Sequence, residues 1–271
     1  MPDGEPSVIT LTTDFGVQDP YVGVMKGVIL NINRRVQLVD LTHAIAPQDI
    51  RSAAFLLAHS FRYFPRGTLH LVIVDPGVGT ERKPLLLASE NHWFIAPDNG
   101  VLSWVERFEE IRSMHAISAS HYFLPEPSQT FHGRDVFAPI AAWFTRGVEP
   151  DMLGERIESY QKLEWPAPRS EGNRVFGTVL HVDRFGNLIT NLDKDSLKSV
   201  LALTGAKRIE LQLAGRAIGP LRRTFAEGPD GTAFALIGSY GMIEIAVRNG
   251  SAAALLGAAP GAEVAATFVS G

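Results

Sequence analysis

Three aspartates stand where apolar segments give way to loops, and an arginine follows one of them closely. Asp14, Asp75 and Asp98 each come directly after an apolar run, and Arg82 stands seven positions beyond Asp75 in VDPGVGTER. Carboxylates placed in this way can bind a polar ligand or exchange protons with it. An aspartate before Pro-Gly or Asn-Gly is also ordinary turn chemistry. All three on one rim of a sheet would favour a binding site over three separate turns.

Two further segments combine polar and aromatic side chains. In segment 130–139, TFHGRDVFAP, four residues lie at a predicted helix start: Phe131, His132, Arg134 and Asp135. Segment 182–191, VDRFGNLITN, places at a predicted strand turn Asp183, Phe185 and Asn187. A capping network would explain the first segment about as well as a binding site would. A hairpin with an aromatic plug would explain the second segment about as well as a binding site would. Together with the aspartates they predict a site of carboxylates, a histidine, an arginine and aromatic faces, without naming its substrate.

The glycine pattern argues against a phosphate-binding loop. Glycines near the three aspartates would let the backbone approach a ligand closely. However, the chain has no GK[ST] ending in these loops, and no GxGxxG follows the first predicted strand.

Composition narrows the class of protein. The chain has 271 residues, of which 45% are hydrophobic and 20% charged, which predicts a folded, soluble protein with a sizeable core. A net charge of −4 gives no basic field for nucleic acid or an anionic membrane, so a small-molecule partner is expected. The absence of cysteine excludes disulfides and thiolate metal sites, and it fits a cytoplasmic location. We expect neither a secretion signal nor a membrane span.

Apolar strands alternate with amphipathic helices in the first half of the chain. This alternation predicts an α/β domain over residues 1–163, with a mostly parallel sheet flanked by helices. Asp19 is the expected N-cap of the first helix, with Pro20 at its first position. The predicted strands are 8–12, 36–40, 68–74, 84–88 and 92–97, and the longer predicted helices are 20–32, 48–61 and 133–147.

The second half has a different character. Residues 164–174 are rich in proline and polar side chains, which is typical of a linker. Closely spaced strand-like runs with glycine-rich turns follow it, together with one predicted helix at 195–203. This pattern predicts a small antiparallel β-barrel over residues 175–271.

Five motifs, taken in order, resemble a known enzyme family. TTDFGVQDPYVGVMKG, VDPGVGTER, APDNGVL, TFHGRDVFAP and VDRFGNLITN are similar to those of the S-adenosyl-L-methionine (SAM) hydroxide adenosyltransferases, also called adenosine-forming SAM hydrolases. That family is related to the SAM-dependent fluorinases and chlorinases. The resemblance runs from about residue 8 to the C-terminus. It implies hydrolysis of SAM to adenosine and L-methionine by attack of an activated water on the ribose C5′.

The resemblance also implies roles for individual residues. The groups around the nucleophilic water would be Asp75, Arg82 and His132, with either Asp75 or His132 as proton acceptor. Asp14 would bind the ribose hydroxyls, and Phe131 would line the ribose and adenine side. Asp183 and Ser239 would bind the methionine end, while Phe185 and Asn187 would form the adenine pocket. SAM would be the substrate, with no cofactor and no metal. A homotrimer would carry its active sites at subunit interfaces.

Three positions favour hydrolysis over halogenation, and two others depart from the family pattern. Halogenases have Tyr where Asp75 stands, and Thr and Ser where this chain has Val78 and Gly133. A carboxylate beside the nucleophile would repel halide. Tyr240 replaces an arginine of the halogenases, and Gln48 replaces an aromatic residue near the ribose. A halogenase and a non-catalytic binder of SAM or adenosine are the alternatives.

Overall fold

The computed structural model describes residues 7–204, 206 and 208–269. The chain divides into two compact units, one ending at Glu164 and the other beginning at Trp165. Among the described residues, no helix combines the length and apolar character needed to cross a membrane.

The N-terminal unit is built on a seven-stranded mixed sheet. Its strands are β1 (Val8–Thr13), β2 (Gln37–Thr42), β3 (Leu69–Ile73), β4 (Pro84–Ser89), β5 (Trp93–Pro97), β6 (Ile111–Ile117) and β7 (Gly154–Arg156). In the order β2-β1-β3-β5-β4-β6-β7, the first four strands are parallel, while the pairings that add β4, β6 and β7 are antiparallel.

The prediction of a mostly parallel sheet therefore holds only for β2, β1, β3 and β5. Only residues 90–92 separate β4 from β5. A parallel pair needs a crossover of about a dozen residues or more, so this short connection forces an antiparallel hairpin.

Helices cover both faces of this sheet, as predicted. They are α1 (Tyr21–Ile32), α2 (Ile50–Ala58), α3 (Ala138–Thr145) and α4 (Pro150–Leu153). One apolar core packs α1 and α3 against the sheet, and a second core involves α2. The spacing of apolar residues on α1 predicts that Val22, Met25, Ile29 and Ile32 face inward; the first three are buried, and Ile32 is partly buried. The N-cap prediction is one residue off, because Pro20 precedes the helix and its carbonyl accepts from Val24.

The predicted helix 133–147 begins with an irregular turn. Gly133–Phe137 form a π-helical turn that continues into α3, and Gly147 follows the helix with φ 97°. Such π turns are rare inside helices and are frequent at functional sites. Here the turn starts directly after His132.

In the described part of the C-terminal unit, a nine-stranded sheet is accompanied by two α-helices. Its strands are β8 (Arg169–Glu171), β9 (Arg174–Val182), β10 (Leu188–Asp193), β11 (Arg208–Leu213), β12 (Arg216–Ile218), β13 (Leu221–Arg222), β14 (Ala233–Ile237), β15 (Met242–Val247) and β16 (Glu263–Val269). The helices are α5 (Lys194–Thr204) and α6 (Ala252–Leu256). The strand order is β12-β11-β16-β9-β10-β15-β14-β13, and β8 pairs with β9.

The predicted small antiparallel barrel is only partly correct. All pairings except β13 with β14 are antiparallel, but the sheet curls into a half-barrel without a ladder between its end strands β12 and β13. Closure depends on which edge strands meet, and residue patterns along single strands do not carry that information. Strand β8 lies inside 164–174, the segment whose composition predicts a linker.

Candidate active site

The three rim aspartates follow three neighbouring parallel strands. Asp14 comes after β1, Asp75 after β3 and Asp98 after β5. Because the carboxyl ends of parallel strands lie at one edge, these loops share the rim where ligands bind in open α/β sheets. Asp98, however, holds a distant segment of the chain: its carboxylate accepts from the Gln161 backbone N–H at 2.7 Å. The structure leaves Asp14 and Asp75 as the candidates.

Asp75 and Arg82 form a buried ion pair within one loop. Arg82 Nε lies 3.0 and 2.9 Å from the two carboxylate oxygens of Asp75, and Arg82 Nη2 also donates to Asp75 Oδ2. The side chains are only 6% and 8% exposed. Gly79 shapes the loop with φ 78°, and a Cβ there would lie 2.5 Å from the Gln129 carbonyl oxygen. The seven-residue spacing therefore produces a fixed carboxylate and guanidinium pair.

His132 joins this pair through the same guanidinium. Arg82 Nη2 lies 2.9 Å from His132 Nδ1. A guanidinium can only donate, so Nδ1 must accept, and the imidazole is neutral with its proton on Nε2. Burial, reinforced by the Arg82 charge, lowers the pKa of His132, while Asp75 and Asp135 oppose the shift. The site thus holds His132 as a neutral hydrogen-bond donor.

A cavity of about 460 Å³ opens beside these groups. Its volume lies within the range of roughly 300–1,000 Å³ that is usual for small-molecule sites. Asp75 and His132 line the cavity, whereas Arg82 does not, so the guanidinium supports both from behind. Val78 and Gly133, where halogenases would carry Thr and Ser, line it as well.

Three aromatic rings form one wall of this cavity. Phe15, Tyr21 and Phe131 contact one another with ring centroids 5.2 to 5.9 Å apart. Sequence reasoning singled out only Phe131 among the three. Phe15 and Tyr21 stand next to Asp14 and at the start of α1, and their shared contact becomes visible only once the chain is folded. A Cβ on Gly133 would lie 3.2 Å from the Phe131 ring and 3.4 Å from that of Phe15.

Asp14 is fixed by a neighbouring loop. Its Oδ2 accepts from the Gln48 backbone N–H at 2.8 Å, and Gln48 has a φ of 67°. A left-handed backbone is costly for glutamine and is typical of functional sites. Asp14 is not among the residues lining the 460 Å³ cavity, but its neighbour Phe15 is.

Arg134 and Asp135 form an ion pair at the start of the helical segment, and Arg134 also lines the 460 Å³ cavity. Asp135 is buried and accepts from Arg134 and from the Ser128 backbone N–H. Burial disfavours the charged carboxylate, but these hydrogen bonds outweigh it and lower the pKa of Asp135. Asp135 therefore ties the helical segment to the preceding loop at Ser128 and does not cap a helix N–H, while His132 bonds to Arg82.

In the C-terminal unit, Asp183 organises the turn that carries Phe185 and Asn187. Its Oδ1 accepts from both backbone N–H groups at 2.9 Å, and its Oδ2 accepts from Asn187 Nδ2 at 2.9 Å. Phe185 is 77% exposed. It lines a cleft of about 710 Å³ together with Asn187 and Phe225, a residue that sequence reasoning missed. Nothing in the local pattern around Phe225 marks it as a site residue.

Ser239 and Tyr240 form the exposed tip of the hairpin between β14 and β15. Gly241 N–H donates to the Gly238 carbonyl at 3.0 Å, which closes the turn. Neither residue lines the 710 Å³ cleft. Within the described part of the chain, no three His, Asp or Glu side chains gather into an arrangement able to hold a metal ion.

Comparison with known proteins identifies the family. The model of the SAM hydroxide adenosyltransferase N-terminal domain matches residues 9–154, and that of the C-terminal domain matches residues 177–265. The (R)-S-adenosyl-L-methionine hydrolase of Thermus thermophilus is 37% identical over 263 residues, which cover 93% of this chain and 96% of the relative. The protein of the same name from Salinispora tropica is 34% identical over 93% of this chain and 95% of its own length.

Fluorinases are more distant, and a solved structure shares the fold. The fluorinase of Nocardia brasiliensis is 26% identical over 93% of each chain. A conserved protein from Thermotoga maritima superposes with a TM-score of 0.88 and 34% identity, covering 96% of this chain and 99% of the other. The chain belongs to the SAM hydroxide adenosyltransferase family.

Proposed function

We propose that this protein hydrolyses SAM to adenosine and L-methionine. The observation that carries the proposal is the contact chain Asp75–Arg82–His132, two members of which face one ligand-sized cavity. Relatives named (R)-SAM hydrolases, similar over most of this chain, support the same reaction. Their name specifies the R configuration at sulfur, and we expect the same preference here.

In this proposal a water molecule between Asp75 and His132 is the nucleophile. One lone pair of the water attacks C5′ in line with the C5′–S bond, and the other accepts from His132 Nε2–H. The water donates a proton to Asp75 as the C–O bond forms. Of the two acceptors left open by the sequence, Asp75 is favoured. Nδ1 of His132 is occupied by Arg82, and Nε2 already carries a proton.

The chemistry needs little help on the leaving side. As the C5′–S bond breaks, its electron pair neutralises the sulfonium, and methionine departs as a neutral thioether that needs no proton. Catalysis is therefore mainly a matter of placing the water. Fixing such a geometry can contribute about 7–11 kcal/mol, and general-base assistance about 10²–10⁴-fold. The guanidinium holds Asp75 and His132 in position from behind the cavity.

The remaining site residues hold the substrate. Asp14, fixed by the Gln48 N–H, accepts from the two ribose hydroxyls, and the Phe131 wall packs beside the ribose. Asp183 and Ser239 bind the methionine end, while Phe185 and Asn187, helped by Phe225, enclose the adenine. A homotrimer with sites completed by neighbouring subunits, the absence of a cofactor and a cytoplasmic location are further predictions.

A SAM halogenase is the closest alternative reaction, and a non-catalytic SAM binder is the other. Asp75, Val78 and Gly133 all border the cavity, so a halide there would lie beside a carboxylate without a hydroxyl donor from positions 78 or 133. A binder has no need for a buried carboxylate pointed at the cavity.

Incubation of the purified protein with SAM tests the proposal. Equal amounts of adenosine and methionine, in excess over the enzyme, are the expected products. Formation of 5′-chloro-5′-deoxyadenosine in the presence of chloride would favour the halogenase, and tight SAM binding without products would favour the binder.

A further inference from the structure

Glu244 is a buried acid that the proposed mechanism does not use. It lies on β15, where its neighbours across the sheet on the same face are Leu236 of β14 and Ile189 of β10. The residue is only 7% exposed. No hydrogen bond from the described residues reaches its carboxyl oxygens, so the carboxylate is open to a donor from a ligand.

The carboxyl lies between the two turns that carry Asp183 and Ser239. A Cβ added to Gly238 would overlap Glu244 Oε2, so this oxygen lies against the backbone of the β14–β15 turn. Asp183 is close enough to act on Glu244 electrostatically. The two carboxyl groups are thus within electrostatic range of each other, and no lysine or arginine among the described residues forms an ion pair with either of them.

Carboxylates without a cationic side chain as partner can bind a cation supplied by a ligand. A divalent metal ion does not fit, since the described residues offer no third His, Asp or Glu ligand there. A primary ammonium fits better, because its three N–H groups can be shared between two carboxylates. The proposed substrate carries one such group, on its methionine end.

We propose that Glu244 is a second carboxylate, beside Asp183, that binds the α-ammonium group of the substrate. This inference rests on the proposed function, because that function supplies the amino-acid end of the ligand. It also gives a reason why a buried acid is placed against Gly238, the residue before Ser239.

Protonation of Glu244 should weaken substrate binding. Burial, with Asp183 nearby, raises the pKa of Glu244 above its usual value. The titratable groups on its face are Asp183 and, two strands away in the same cross-strand row, His181. Because only the ionised carboxylate pairs with ammonium, KM for SAM should rise as the pH falls through this raised pKa.

Glu244→Gln tests the proposal, since it copies the shape of the protonated acid. Glu263→Gln is the matched control, because Glu263 lies on β16 with a 62% exposed side chain. We expect Glu244→Gln to weaken SAM binding and raise KM about tenfold to a hundredfold, with kcat nearly unchanged. The acid rise in KM should disappear. Binding of adenosine, and of a SAM analogue with hydrogen in place of the ammonium, should not change.

Calorimetric binding separates this inference from the proposed function. If Glu244→Gln loses affinity for SAM and for the deaminated analogue equally, the ammonium assignment is wrong. Equal SAM affinity in Glu244→Gln and Glu263→Gln would also overturn it. A wild-type protein that binds SAM with this selectivity but releases no adenosine would refute the hydrolase and keep the inference. Gly238→Ala must displace the Glu244 carboxyl, so it should also weaken the binding of SAM without weakening that of the deaminated analogue. Unchanged SAM binding would contradict the assignment.

Discussion

Arg82 donates one N–H to His132 Nδ1 at 2.9 Å while the same guanidinium holds both oxygens of Asp75. This single contact fixes the tautomer of the histidine, because arginine cannot accept a hydrogen bond. It leaves His132 to orient the water and Asp75 to receive its proton.

Replacement of Arg82 by lysine should separate charge from geometry. A lysine keeps the positive charge but cannot hold both oxygens of Asp75 and also reach His132 Nδ1. We expect kcat to fall about tenfold to a hundredfold, as for the loss of one charged hydrogen bond, with a small change in KM. Steady-state kinetics would check this. The exposed Arg146→Lys is the control, and equal kinetics for the two variants would contradict the role given to Arg82.

Asp75→Asn removes the proton acceptor but keeps the shape of the side chain. We expect kcat to fall about 10²–10⁴-fold, the usual contribution of a general base, while SAM still binds. Single-turnover rates and calorimetric binding would measure the two effects separately. Asp151→Asn, on a residue with an 88% exposed side chain, is the control. Full turnover in Asp75→Asn would contradict the assignment of Asp75 as the base that accepts the proton of the water.

The pH profile should reflect the neutral state of His132. Burial and the Arg82 charge lower its pKa, so the accepting Nδ1 persists to a more acidic pH than in free histidine. Activity should therefore be flat through neutral pH and fall on the acid side, with a midpoint below about 6.5. In Arg82→Gln, which lacks one of the two causes, the residual activity should show a midpoint shifted upward. An activity that rises as His132 becomes protonated would contradict the tautomer assignment.

A second histidine should control acid stability without affecting catalysis. His70 is fully buried, bonded to Thr10 Oγ1 at 2.7 Å and stacked on Phe94. Burial, and then the nearby His92, lowers the pKa of His70 to about 3, with Glu109 opposing. Below about pH 6.5 the imidazole of His70 therefore binds a proton in the unfolded chain but not in the folded chain. The free energy of unfolding consequently falls as the pH drops below about 6.5. The loss is about 2 kcal/mol at pH 5 relative to pH 8.

Urea unfolding at pH 8 and pH 5 would measure this contribution. His70→Asn should be less stable at pH 8 but should lose about 2 kcal/mol less than the wild type on going to pH 5. The same substitution at the exposed His121 should leave the pH dependence unchanged. If the free energy of unfolding changes by the same amount between pH 8 and pH 5 in the wild type and in His70→Asn, the assignment is wrong.

The sequence predicted those features that depend on local pattern. Val22, Met25 and Ile29 share a helix face, and their burial on α1 follows from the spacing. Strand β6 was missed because Arg112, Ser113 and His115 break its apolar pattern, although it pairs along most of its length with β4.

The site was harder to predict, because it depends on contacts distant in sequence. The spacing of Asp75 and Arg82 indicated a shared loop, but His132 stands fifty positions beyond Arg82, and only family resemblance connected them. Glu244 carries no motif in the sequence. Its importance lies in a missing hydrogen-bond partner, which only coordinates can reveal.

The most direct test of the central claim is to hydrolyse SAM in ¹⁸O-labelled water and locate the label by mass spectrometry. If water held by Asp75 and His132 attacks C5′, the 5′-hydroxyl of adenosine carries ¹⁸O and methionine carries none. Unlabelled adenosine, or label in a product formed by attack on a carbon of the methionine chain, would contradict the account.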